Sequence, residues 1–216
     1  MRLILASASP RRAELLRAAG YAFEIVVTDV DEQVRPGETA STYVRRLAAE
    51  KSAAAQSGTA KAVPHDGRRD GLASVGHRFS GADPRGDADV IILGADTVVV
   101  IDGQILGKPR DDGETTSMLR RLSGRRHEVM TGISLRQGTS ELGRVEITTV
   151  YFTPLSDAEL EWYVASGEGR DKAGAYAIQG QASRFISRIE GSYSNVVGLP
   201  VAAVHEVLTS HLASRP

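Results

Sequence analysis

Apolar positions along this chain change their spacing repeatedly, and each change marks an element. Leu3–Ala6 is a short apolar run that reads as a buried strand. It leads into Ser9-Pro10, an N-cap residue followed by Pro at the first helical position. The helix predicted there runs to about Ala19, turns Leu15 and Leu16 inward and stops at Gly20. Phe23–Val27 reads as a second strand, and residues 28–38, with Asp29, Asp31, Glu32, Pro36 and Gly37, as an acidic loop. Ala40–Gln56 carries Val44, Leu47, Ala48 and Ala55 on one stripe, the signature of a helix, with Gly58 as its stop. Val90–Leu93 and Thr97–Ile101 are β-branched strands separated by Gly94-Ala95-Asp96, and Asp102-Gly103 is a hairpin turn signal. Asp111 or Asp112 caps a helix ending near Leu122, and Val129–Leu135 and Val145–Thr153 alternate like strands. Ser156 and Glu159 form a capping box that opens a helix through Val164, stopped by Gly167. A strand around Phe185–Ile189 and a helix from near Pro200 to about Leu212 complete the chain. Strands alternating with helices, with hairpins among them, predict an α/β fold with a mixed, strongly twisted sheet in two lobes.

Composition narrows the class of molecule. The chain has 216 residues, and its 26 Lys+Arg nearly balance 27 Asp+Glu for a net charge of −1. That length suits one or two domains, and the expectation is one, over residues 1–216. The balance argues against a nucleic-acid coat or a polybasic membrane binder, but a small anionic ligand needs only a few local cations. With no Cys, disulfides, thiolate metal sites and cysteine nucleophiles are excluded. No apolar run approaches the roughly 20 residues of a membrane span. Leu3–Ala6 is too short for a signal-peptide core of about 7–15 residues, so the expectation is a protein that is not exported. Residues 58–88 differ from the rest: Gly67, Gly71, Gly76, Gly81 and Gly86 stand among His, Arg and Asp with few large apolar residues. Such a stretch reads as a flexible insertion.

Candidate chemistry gathers in a few places. In Ser7-Ala8-Ser9-Pro10-Arg11-Arg12 a strand delivers two hydroxyls and two guanidiniums to a helix N-terminus. Cations there oppose the helix dipole, whereas a phosphate would suit both the dipole and the arginine forks. Two surface arginines paired with nearby acids is the plainer alternative. Asp96 interrupts an apolar strand pattern, which suits a general base, a metal ligand, or a structural carboxylate held by backbone N–H groups. Lys51 lies on the apolar stripe of its helix, so it either snorkels or points into a polar cleft. Glu32 could join Asp96 around a divalent cation or remain a solvated loop residue. Lys108 follows the hairpin in Leu106-Gly107-Lys108-Pro109. Gln179, near the end of Asp171–Gly180, offers a donor and an acceptor suited to a nucleobase edge. Gly191–Pro200 reads as a structured connection or a binding loop. Neither a dinucleotide fingerprint nor a nucleophile elbow occurs.

In combination, Ser7–Arg12, Glu32, Arg46–Lys51, Gly94–Thr97, Leu106–Pro109, Asp171–Gly180 and Gly191–Pro200 resemble the Maf family of nucleotide pyrophosphatases. They occur in the family's order and span almost the whole chain outside residues 58–88. The Ala175–Gly180 stretch is similar to the subfamily acting on dTTP and UTP. The resemblance implies hydrolysis of a nucleoside triphosphate to monophosphate and pyrophosphate. It also implies a fold like that of inosine triphosphatase with a cleft between lobes, a divalent cation such as Mg²⁺ or Mn²⁺, a cytoplasmic location and a homodimer. Carried onto this chain, Asp96 is the general base, and Ser7, Arg11, Lys51 and Lys108 hold the triphosphate. Arg12, Thr97 and Gln179 fall on positions linked to substrate choice, and Glu32 on an acidic position near the metal, which Asp96 would also ligate. The family's name derives from a septum-formation phenotype, so a nucleotide-binding regulator without turnover is the alternative. The 58–88 segment makes the Lys51-to-Asp96 connection longer than is usual in the family.

Overall fold

A computed structural model describes residues 2–58, 61–62 and 90–213. Strands and helices alternate in chain order as β1 (Arg2–Ala6), α1 (Pro10–Ala18), β2 (Glu24–Val27), α2 (Ala40–Gln56), β3 (Lys61–Ala62), β4 (Val90–Ile101) and β5 (Gln104–Leu106). They continue as α3 (Asp112–Leu122), β6 (Arg126–Gln137), β7 (Ser140–Phe152), α4 (Asp157–Ser166), β8 (Ile186–Glu190), α5 (Tyr193–Val197) and α6 (Val201–Ala213). Among the described residues the sheet has eight strands in the order β3-β2-β1-β4-β6-β7-β8, with β5 on the side of β4. β1 runs parallel to β2 and β4, and the remaining pairs are antiparallel, so the sheet is mixed as expected.

Local signals account for most boundaries. Asp111 caps α3 by accepting from the Glu114 N–H, and the Ser156–Glu159 capping box opens α4. The Asp102-Gly103 turn sets Ile101 opposite Gln104. Four departures from the sequence reading stand out. β6 and β7 are longer than their apolar cores, because their register continues out to the hairpin between Gln137 and Ser140. Within Gly191–Pro200 lies a short helix, α5, whose N-cap Ser192 accepts from the Asn195 N–H. At the front of the segment read as a flexible insertion, Lys61 and Ala62 pair with Val27 and Val26 of β2. Most of that segment, residues 59–60 and 63–88, lies outside the described residues.

The fourth departure locates the site. Gly94-Ala95-Asp96 does not break the strand, because β4 runs uninterrupted for 12 residues. What changes there is its neighbour. β1 pairs with Val90 to Gly94, and β5 pairs with Val99 to Ile101. Residues 95–98 face neither, and this gap opens at the carboxyl end of the parallel strand β1. A change of strand partner at such an end leaves a crevice suited to a ligand.

Glycine makes room for the helix above this point. A Cβ on Gly94 would lie 2.1 Å from the Ala48 carbonyl oxygen, and one on Gly132 would lie 2.2 Å from that of Val44. The backbone of α2 therefore rests directly on β4 and β6. Even-numbered residues of β4 face α2, where Val98 and Val100 pack with Tyr43, Val44 and Leu47. Odd-numbered residues on the opposite face divide between two cores. Ile91, Leu93 and Ala95 pack with α1 and α6, whereas Val99 and Ile101 pack with α3 and α4. Thr97 stands between the two clusters.

Candidate functional site

A cavity of about 590 Å³ opens over the gap in β4, within the range of small-ligand pockets. Every residue singled out in the sequence lines it: Ser7, Arg11, Arg12, Glu32, Lys51, Asp96, Thr97, Lys108 and Gln179. A larger groove of about 1100 Å³ runs past the start of α2. Its Glu38 is taken up by Arg46 and its Arg125 by Asp102, so the smaller cavity carries the convergent chemistry.

Lys51 is the centre of the charged part. It rises from the buried stripe of α2, which here also includes Tyr43 and Ser52. Its ammonium lies 2.7 Å from Asp96 Oδ1 and 2.7 Å from Glu32 Oε1. It therefore neither snorkels nor stands free, but joins two carboxylates from distant segments. Lys51 and Asp96 are about nine-tenths buried, while the Glu32 side chain is 52% exposed. Burial alone would raise the Glu32 pKa, but the Lys51 ammonium, with Lys108 and Arg12 nearby, draws it below the usual carboxylate range.

The acidic loop is clamped in place rather than merely solvated. Arg46 of α2 donates to the Gln33 carbonyl at 3.0 Å and to Glu38 Oε1 at 2.7 Å. The Arg46 guanidinium holds the Glu38 pKa down to about 2. The Tyr43 hydroxyl donates to the Glu32 carbonyl at 2.8 Å. Burial, then Asp96 and Glu32, push the Tyr43 pKa up to about 12. Tyr43 was not anticipated as a site residue. Its position two helical turns before Lys51, on the same stripe, was the signal available.

The two arginines of α1 part company. Arg12 turns inward and is 8% exposed. It donates to the Gly198 carbonyl (2.8 Å), Ser7 Oγ (3.1 Å), the Ala95 carbonyl (2.9 Å) and Thr97 Oγ1 (3.0 Å). The fork thus ties together the end of β1, the gap in β4 and the turn before α6. Burial lowers its pKa, opposed by Asp96 and Glu32. Arg11 and Lys108, by contrast, have no hydrogen-bond or ion-pair partner among the described residues, and both line the cavity. Ser9 occupies the N-cap of α1 with no side-chain cap bond, and the first turn holds no acid. Those features leave the helix N-terminus suited to an anion. Lys172 also lines the cavity, ion-paired with Asp171, although only the stretch containing it stood out in the sequence.

Thr97 Oγ1 contacts Arg12, Thr131 and the Gly198 carbonyl. Gln179 is exposed at the rim. Below it, Tyr176 is buried and its hydroxyl lies 2.8 Å from His127 Nε2. Among the described residues His127 Nδ1 is buried without a partner, and burial lowers the His127 pKa to about 4. The unfolded chain, with an ordinary histidine value near 6.5, binds a proton that the folded state refuses. This group's contribution to stability is complete above the unfolded value and is lost as the pH falls toward 4. Between pH 7 and pH 4.5 the loss is about 2–3 kcal/mol. Urea unfolding should show it, and His127→Gln should flatten that part of the pH profile. Identical profiles for the two proteins would refute the assignment to His127.

Asp96 and Glu32 also decide whether a metal fits. No group of three or more His, Asp or Glu side chains converges among the described residues, so there is no all-protein cage. Two carboxylates already gathered around one cation do match Mg²⁺, which completes its shell with water and substrate phosphates.

The family described as "Maf-like protein" matches residues 2–211. A protein of Anaeromyxobacter dehalogenans named dTTP/UTP pyrophosphatase is 46% identical over 211 residues, covering 96% of this chain and 92% of its own. Proteins with the same name from Symbiobacterium thermophilum and Escherichia coli O157:H7 are 45% and 43% identical. These matches cover 96% and 99% of this chain and 92% and 94% of the relatives.

Proposed function

The chain belongs to the Maf family, and from that premise we propose that it hydrolyses dTTP and UTP to the nucleoside monophosphate and pyrophosphate. The observation that carries the reading is the pair Asp96–Lys51 in a cavity lined by Arg11, Arg12, Lys108 and Lys172. A nearly buried carboxylate stands beside cations positioned for a polyphosphate.

In this reading Asp96 is the general base. Lys51 occupies its Oδ1, and Oδ2 receives the proton of a water attacking the α-phosphorus. A phosphorus–oxygen bond forms to the water oxygen, and the bond from the α-phosphorus to the bridging oxygen breaks. Pyrophosphate leaves with the bonding electrons. Little covalent work falls to the protein in such a transfer, so positioning and charge dominate. Arg11, Lys108 and the hydroxyls of Ser7 and Ser9 face the triphosphate at the start of α1. Arg12 braces Ser7 and Thr97 from behind, which gives its link to substrate choice a physical form. Glu32 and Asp96 would hold a divalent cation, which supplies charge neutralisation at the phosphate oxygens.

The two cores that meet at Thr97 are the two lobes, and the cavity is the cleft between them, as in the inosine triphosphatase fold. Residues 1–216 act as one domain in a cytoplasmic homodimer. No helix among the described residues is long and apolar enough to cross a membrane. Light scattering on the purified protein checks the dimer.

The test is a panel of dTTP, UTP, CTP, ATP, GTP and 7-methyl-GTP with Mg²⁺ or Mn²⁺. Monophosphate and pyrophosphate from dTTP and UTP are expected. Tight nucleotide binding without turnover would replace the enzyme by a regulator. Gln179→Ala should weaken the preference for these bases while leaving pyrophosphate affinity unchanged. An unchanged ranking of the panel would remove Gln179 from base selection.

A further inference from the structure

Gln179 is exposed in a turn between half-buried neighbours, yet a base-reading amide must be held in place. The structure shows what holds it. α4 ends at Gly167 in the left-handed conformation, and the chain then turns so that Glu168 faces the segment from Ala177 to Ala182. Glu168 Oε1 accepts from the Gln181 N–H at 2.9 Å, and Oε2 accepts from the Ala182 N–H at 3.4 Å. On the other side of Gln179, the Ala177 N–H donates to the Tyr163 hydroxyl at 3.3 Å. The Tyr163 side chain is fully buried, and burial, then the neighbouring Glu168 carboxylate, raises the pKa of that hydroxyl. One carboxylate and one phenol thus fix the backbone before and after Gln179.

Gly180 supplies the space for this contact. A Cβ there would lie 1.9 Å from Glu168 Oε1 and 2.4 Å from its carboxyl carbon. Its backbone angles, φ −111° and ψ −149°, lie outside the left-handed region, so a side chain there would act chiefly by displacing the Glu168 carboxylate. Neither Glu168 nor Tyr163 lines the cavity.

We infer that Glu168, acting with Tyr163 across the Gly180 gap, is a positioning residue that sets base selectivity by holding Gln179 at the cavity rim. The inference rests on the proposed nucleotide site and concerns base choice, not the phosphate chemistry. A residue that merely stabilised the fold would weaken all ligands alike. A residue acting through Gln179 changes the ratio between bases and has no further effect once Gln179 is gone.

The experiment measures binding of non-hydrolysable α,β-imido analogues of dUTP and dCTP, and of pyrophosphate, by calorimetry. The proteins compared are the parent, Glu168→Gln, Tyr163→Phe, Gly180→Ala, Gln179→Ala and the Glu168→Gln/Gln179→Ala double variant. Glu168→Gln should reduce the dUTP-over-dCTP analogue preference about tenfold, the scale of one misdirected hydrogen bond, with pyrophosphate affinity unchanged. Gly180→Ala, which displaces the carboxylate without removing it, should do the same. Tyr163→Phe should shift the ratio in the same direction by a smaller factor, and it keeps the test open should Glu168→Gln not fold. The double variant should match Gln179→Ala. An unchanged ratio, an equal loss for pyrophosphate, or additive effects in the double variant would each overturn the inference. A parent protein with no base preference in binding would overturn it as well. Base-selective binding without hydrolysis would instead overturn the proposed activity and leave this inference standing.

Discussion

Asp96→Asn lowers turnover of dTTP by about 10²–10⁴-fold, the usual cost of losing a general base, and leaves nucleotide binding within a few-fold of the parent. β4 loses its β1 partner after Gly94 and gains β5 only at Val99, so Asp96 stands where the sheet opens to the cavity. Its side chain points to the α2 face, and Lys51 meets it there at 2.7 Å. Asn keeps the shape and an oxygen for Lys51 but cannot accept and retain a proton. The substitution therefore separates proton transfer from positioning. Steady-state kinetics with the product assay, alongside a thermal melt to confirm folding, read the result. Near-parental kcat in a folded protein would take Asp96 out of the reaction.

Gly94→Ala is expected to cost about 1–3 kcal/mol or more of stability and to reduce turnover by about 10²-fold. The added Cβ would lie 2.1 Å from the Ala48 carbonyl oxygen and 2.9 Å from the Ser52 nitrogen. Both neighbours are helix backbone, which cannot swing aside as a side-chain tip can. α2 must therefore lift from the sheet, and it carries Lys51, Tyr43 and Arg46 with it. Glu32, held through Tyr43 and Lys51, would follow. Ser52 is also hydrogen-bonded to Ser134 across the same interface, so the displacement would strain that contact. Urea unfolding gives the stability term and kcat the functional one. A variant with parental stability and parental kcat would contradict the direct packing of α2 on β4.

Elements set by local signals follow from the sequence directly. Ser156 with Glu159, Asp102-Gly103 and the stripe from Val44 to Ala55 each act within a few residues, and the elements they imply are present. Most of the site residues were legible as residue types in unexpected settings, Thr97 only through the family resemblance, and all nine converge on one cavity. Their partnerships were not legible, because each depends on contacts between distant segments. Nothing near Lys51 says that its ammonium will join Glu32 to Asp96. Nothing near Arg12 says that its guanidinium will turn inward to Gly198, 186 positions away, and serve as a brace. The Gly94–Asp96 interruption was visible, but its meaning was a change of neighbour rather than the end of a strand. Tyr43 carried only its place on the Lys51 stripe, and Tyr163 and Glu168 no distinguishing pattern, since their roles come from backbone groups contributed by other segments.

The most direct test of the central claim follows the oxygen. Hydrolysis of dTTP in H₂¹⁸O with Mg²⁺, followed by mass spectrometry, shows which phosphorus the water attacks. The account predicts one ¹⁸O in thymidine monophosphate and none in pyrophosphate, as attack at the α-phosphorus requires. Label in pyrophosphate, release of orthophosphate from the γ-position, or no turnover at all would contradict it.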